Sequence, residues 1–113
     1  MKWFSEREFD CSCCGRNEMK SVFYEKIDRL RDQLGHQLVI NSGFRCVDHN
    51  HHVGGGMTSR HLVGEAADIS MEEMTAEMRY MLLTLALREF RGVGIDRSFL
   101  HVDCRDKHRL WVY

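Results

Sequence analysis

The sequence predicts an α+β domain: a small, mostly antiparallel sheet packed with helices. Two observations predict it. Two long helical patterns flank a polar, glycine-rich middle, and three short strand-like runs close the chain. At 113 residues the chain has room for one domain, residues 1–113, with one modest core. It has no internal repeat, low-complexity tract or linker.

Residues 4–9 read as a short helical turn that packs Phe4 and Phe9. The stretch NEMKSVFYEKIDRLRDQLG is the clearest helix, with Asn17 as its cap and Gly35 as its stop. Met19, Phe23, Ile27, Leu30 and Leu34 recur at helical spacing and make one apolar stripe for the core. QLVINSGFR follows as a strand with a turn at Ser42–Gly43. VDHNHHVGGGMTSR is polar and glycine-rich, hence a loop with room for a helical turn. EAADIS reads as a short buried strand. TAEMRYMLLTLALREF is a second helix, capped by Thr75, with Met78, Met81, Leu82, Leu85 and Phe90 inward. GVGID, SFLHVDCR and RLWVY then read as strands.

Composition excludes several classes. Hydrophobic residues make up 43% and charged residues 29%, an ordinary globular balance. A net charge of -1 gives no field to hold the molecule on nucleic acid or an anionic membrane. No apolar run is long enough to span a bilayer. The N-terminal MKWFSEREFDCSCCG carries acids and lacks an apolar core, so no secretory signal is read there. The expectation is a monomer synthesised in a cytoplasm. Five cysteines leave at least one thiol without a partner in the chain. Cys11, Cys13 and Cys14 crowd at spacings too tight for the usual two-residue zinc knuckle, so buried or half-exposed thiols are expected. A second zinc held by these three with Cys46 stays open.

The chemistry centres on SRHLVGEAADIS, which holds His61 and Asp68. Were both to bind one metal, their ligating atoms would have to lie within roughly 3–4 Å, given metal–ligand bonds of about 2 Å. On a continuous helix, positions seven apart share a face but sit about 10 Å apart along the axis. The chain must therefore bend back between them, and Gly64 permits it. In FLHVDC, alternation puts Phe99, His101 and Asp103 on one strand face. His101 has apolar neighbours and needs a buried partner. Two imidazoles, one carboxylate and an open position would make a catalytic zinc site. Spacing alone equally admits a capping pair and a satisfied core histidine.

NSGFRCVDHNHHVGGGMTSRHLVGEAADI, with GVGID and FLHVDCR downstream, closely resembles the zinc D-Ala-D-Ala carboxypeptidase family of peptidoglycan peptidases. That family shares a fold and metal site with the hedgehog signalling domain and includes many phage endolysins. The likeness runs from about Phe4 to Arg105. It implies a hedgehog/DD-peptidase-like fold and one zinc ion on His61, Asp68 and His101. It also implies that Arg45, in the Ser-Gly-Phe-Arg string, contacts substrate and steadies a developing oxyanion. The implied activity is hydrolysis of stem-peptide bonds in peptidoglycan, by a carboxypeptidase or an endolysin-type endopeptidase. An enzyme without an export signal would reach the wall after release, as phage lysins do.

One departure from the family matters. Several relatives carry an acidic base three residues before the last histidine ligand, where this chain has Ser98. The remaining bases are Asp103, on the face of His101 and preferred, and Asp96; a salt bridge that orients Arg45 or Arg105 is the other role open to Asp103. If neither serves, the chain is a non-catalytic zinc-bearing wall- or protein-binding module. His49, His51 and His52 read as solvated loop residues, and His36 and His108 as surface residues. The HNHH string lacks the spread and the basic stripe of a nuclease. Phe44 and the HNHHVGGG loop are expected to border the groove, the glycines letting the loop shift.

Overall fold

The structure is a computed structural model that describes all 113 residues. Five strands form one sheet: β1 (Ile40–Ser42), β2 (Ala66–Ser70), β3 (Gly92–Ile95), β4 (Phe99–Asp103) and β5 (Arg109–Val112). The spatial order is β1-β2-β4-β3-β5. Every neighbouring pair is antiparallel except β3 and β5, which run parallel. Three helices accompany it: α1 (Ser21–Leu34), α2 (Val47–His52) and α3 (Ala76–Glu89). Two 3-10 turns complete the set, Glu6–Phe9 and Arg60–Val63. The α+β class and the mostly antiparallel sheet agree with expectation.

Strand alternation divides the sheet into two faces. Ala67 and Ile69 of β2, Val93 of β3, and Leu100 and Val102 of β4 enter one core with Phe23, Ile27 and Leu30 of α1 and Leu82, Leu85 and Ala86 of α3. The opposite face carries Ala66, Asp68, Gly92, Gly94, His101 and Asp103, and no helix of the core covers it. Apolar burial on one side thus leaves the other side to chemistry.

Several local expectations change. Helix α1 begins at Ser21, with Lys20 at the N-cap and no side-chain cap bond. Asn17 does not cap it: its Oδ1 accepts from Met19 N at 2.8 Å, and its Nδ2 donates to Glu6 O and Asp10 Oδ1, both at 2.9 Å. A short amide turning onto its own backbone competes with helix entry. Gly35 does stop the helix, in the left-handed conformation at φ 69. Thr75 caps α3 by accepting from Met78 N. Met81, expected inward, is 47% exposed, because Leu82, Leu85 and Ala86 already fill the arc facing the sheet. QLVINSGFR contributes only the three residues of β1. The polar loop contains the six-residue α2.

Gly64 ends the second 3-10 turn at φ 71, and a Cβ there would lie 2.0 Å from Glu18 O. Conformation and space both demand glycine, and the reversal carries His61 back over β2. Gly94 answers to space alone: a Cβ would meet the Trp111 ring at 2.5 Å. Gly94→Ala is expected to cost about 1–3 kcal/mol, the usual range for overpacking, and to push Trp111 off its neighbour. Thermal denaturation checks this, and an unchanged midpoint would show that the ring yields freely.

Candidate metal centre and cleft

One row of residues crosses the whole sheet. Ser42 pairs with Asp68, Asp68 with His101, His101 with Gly94, and Gly94 with Trp111. Register therefore sets a carboxylate beside an imidazole at the sheet's centre, 33 residues apart in the chain. His61 arrives from the 3-10 turn above, its ring centroid 5.1 Å from that of His101. The ligating atoms of His61, Asp68 and His101 all lie within 4.8 Å of one another, and all three residues are buried.

The surroundings fix which nitrogen of each ring faces inward. His61 Nδ1 lies 2.7 Å from Gly43 O, and a carbonyl only accepts, so Nδ1 donates. That leaves Nε2 turned toward Asp68 Oδ1 at 3.3 Å. His101 Nε2 donates to Asp103 Oδ2 at 2.7 Å, which turns Nδ1 toward the same Asp68 oxygen at 3.1 Å. Burial alone would raise the Asp68 pKa, but hydrogen bonds from His101 and His61 outweigh it and hold the carboxyl well below the usual range. Burial would lower the His101 pKa, yet its bonds to Asp103 and Asp68 leave it raised. Those bonds to Asp68 belong to the protonated rings; in the neutral rings, with protons on His61 Nδ1 and His101 Nε2 alone, three electron-rich atoms point at one place. Two oriented imidazoles with one carboxylate fit a borderline divalent cation such as zinc. Gly43 O and Asp103 act behind them as the outer partners that orient ligating histidines.

Arg45 closes one side. It donates from Nη2 to Asp68 Oδ2 at 3.2 Å, from Nε to Ser42 Oγ at 3.2 Å and from Nη1 to Asn50 Oδ1 at 3.3 Å. At the centre opens a cleft of about 460 Å³, whose lining includes Gly54–Gly56, Trp111 and Tyr113. Four arginines line it: Arg45, Arg60, Arg105 and Arg109. A larger depression of about 800 Å³ lies between the N-terminus and α1 and holds none of the three ligating residues.

Asp103 and Asp96 lie elsewhere. Asp103 is 0% exposed. Its Oδ1 accepts from Arg105 N at 3.0 Å and Nε at 2.9 Å, and its Oδ2 from Arg105 Nη2 at 2.6 Å and from His101. Burial would raise its pKa, but Arg105 and then His101 hold it well below the carboxylate range. Asp96 turns away from the cleft: its Oδ2 accepts from Ser98 N and Oγ, both at 3.0 Å, at the β3–β4 turn. Asp68 is the one carboxylate that lines the cleft.

The groove's expected borders change in part. Phe44 is buried, its ring 5.8 Å from the Arg16 guanidinium. The glycines do wall the cleft, but buried Asn50 holds them: Nδ2 donates to Gly56 O at 3.0 Å, and Gly55 N donates to Asn50 O at 2.8 Å. Trp111, Arg60 and Arg109 escaped the sequence reading, as did the anchoring role of Asn50 within the expected loop, because these come from strand register and a loop path that no local pattern encodes. His49, His51 and His52 stay outside the cleft lining.

A structural metal site closes its ligands around the ion, whereas this one opens onto a groove large enough for a substrate chain. Fold and site together present a candidate metal centre that is open to a groove, the arrangement a catalytic metal needs. The chain belongs to the Peptidase M15 family of metallopeptidases, whose description matches residues 4–103. No curated protein matches it. No helix is long and apolar enough to cross a membrane.

Proposed function

We propose that the chain is a zinc-dependent peptidase that hydrolyses peptide bonds in the stem peptides of bacterial peptidoglycan. The observation that carries this reading is the convergence of His61, Asp68 and His101 at the floor of an arginine-lined cleft. Zinc held by these three would polarise a scissile carbonyl and activate water. Asp68 supplies the negative charge that retains the cation, and Gly43 O and Asp103 hold the two rings in their ligating orientation. A guanidinium has about five N–H donors; three of Arg45's engage Ser42, Asn50 and Asp68, so the others can meet a developing oxyanion. Arg60 and Arg109 suit a substrate rich in carboxylates, as stem peptides are. Trp111 offers an aromatic wall for the peptide. Asp103, saturated by Arg105 and His101, acts as a positioning residue. The protein works as a monomer on wall material reached after release from the cell.

A second reading is favoured by one observation: the cleft has no carboxylate besides Asp68. A zinc-bearing module that binds wall peptides without cutting them would need none. Zymography on purified peptidoglycan separates the two. Clearing that a chelator abolishes and zinc restores is expected, and mass spectrometry of the released muropeptides then identifies the bond. Stoichiometric zinc with no clearing on several wall types would establish the module instead.

A further inference from the structure

Outside the cleft, the structure gathers four of the five cysteines at one point. Cys13 Sγ lies 3.6 Å from Cys11 Sγ and 3.4 Å from Cys46 Sγ, and the sulfurs of Cys11, Cys13, Cys14 and Cys46 all fall within 4.8 Å of one another. A tetrahedron of sulfurs at the usual zinc–sulfur bond of about 2.3 Å has edges of about 3.8 Å. A disulfide needs about 2.05 Å, so these are neighbouring free thiols. Packing accounts for Cys11 alone, which is buried though outside the main apolar cluster; Cys46 is only half-buried, and Cys13 and Cys14 are exposed.

The backbone prepares the site. Cys11 N donates to Arg16 O at 2.7 Å, and Gly15 N to Cys11 O at 2.8 Å. These bonds close the loop of residues 11–16 so that three sulfurs face inward. Cys46 N donates to Cys11 Sγ at 3.5 Å, and His49 N to Cys46 Sγ at 3.4 Å. N–H groups aimed at sulfur favour the thiolate, the form that binds metals.

We propose that Cys11, Cys13, Cys14 and Cys46 form a second, structural site for a thiolate-binding divalent cation, zinc above all, distinct from the His61–Asp68–His101 centre. Four sulfurs close around the ion and leave no open position, as structural zinc sites do. The site ties the N-terminal loop to the residue that follows Arg45. The same segment carries Gly43, whose carbonyl orients His61, and Phe44 N donates to Phe9 O at 2.9 Å. The cross-link therefore braces one wall of the catalytic cleft without touching substrate.

The full chain, purified under reducing conditions and loaded with cobalt(II) in place of zinc, provides the test. It should bind two equivalents and show the near-ultraviolet thiolate-to-cobalt charge-transfer band, which no histidine–carboxylate site gives. The band should persist unchanged in His61→Ala and weaken in Cys46→Ser, and native mass spectrometry with zinc should show one ion lost in His61→Ala and a lower occupancy of the second ion in Cys46→Ser. Cys14→Ser, at an exposed position, serves as the second variant should Cys46→Ser fail to fold. A wild-type chain without the band overturns the proposal. So does a metal-free mass lower by two hydrogen atoms, marking a Cys13–Cys46 disulfide oxidised in place of metal binding.

Discussion

His61→Ala is expected to bind one equivalent of zinc fewer than the parent chain and to lose all wall hydrolysis. The substitution removes one of three converging donors and leaves a nitrogen and a carboxylate, too few to retain the ion. It also leaves Gly43 O without the hydrogen bond from Nδ1, and a buried polar group so stranded costs about 1–3 kcal/mol. Ligand binding adds to the effect. Zinc at a hundred times its dissociation constant stabilises the folded state by about 2.7 kcal/mol, which for a domain of this size raises the melting temperature by roughly 10 °C. The variant should forfeit that increment at this centre and melt lower even without metal. Metal analysis after dialysis, with calorimetry in zinc and in chelator, checks both parts. An alanine variant that keeps the parent's zinc would remove His61 from the ligand set.

Asp103→Asn separates positioning from proton transfer. Asparagine keeps an oxygen to accept from His101 Nε2, but it removes the charge that Arg105 neutralises with three donors. A buried charge deprived of its partner is expensive, about 3–5 kcal/mol in the strongest cases. Weakened outer support of a ligating histidine lowers metal affinity by about 10–100-fold. The expected result is weaker zinc binding and a lower melting temperature, with activity recovered in part at saturating zinc. A general base would behave otherwise: zinc affinity unchanged, and turnover lost at every zinc concentration. Zinc titration alongside a turnover assay distinguishes the two outcomes directly.

Much of the fold was legible because it rests on periodicity. The stripe from Phe23 to Leu30, the cap at Thr75 and the alternation of FLHVDC each follow from a local rule. So does the bend at Gly64. Legibility failed where long-range partners decide. Alternation placed Asp103 beside His101 and left a salt bridge to Arg45 or Arg105 as its other role; the structure has the Arg105 bridge, but only the folded chain shows both oxygens occupied. Asn17 has the chemistry of a helix cap, yet its amide serves the N-terminal turn instead. Phe44 looked like a groove residue until the N-terminal segment was found packed over it. The arginines of the cleft come from positions 45, 60, 105 and 109, so no window of sequence contains them together. Cys46 joins its three companions across more than 30 residues of chain for the same reason.

The pairing of β2 with β4 also governs when this protein can first become competent during synthesis. Asp68 emerges from the ribosome well before His101, which lies on β4, the last strand but one to be made and the direct partner of β2. A nascent chain that ends short of β4 presents only His61 and Asp68 and has no seat for a third donor. Contacts of such wide sequence separation form late, after the entropy of closing the loop has been met. Assembly of the three-donor set thus waits on synthesis of β4, and a product clipped before it lacks the set by construction.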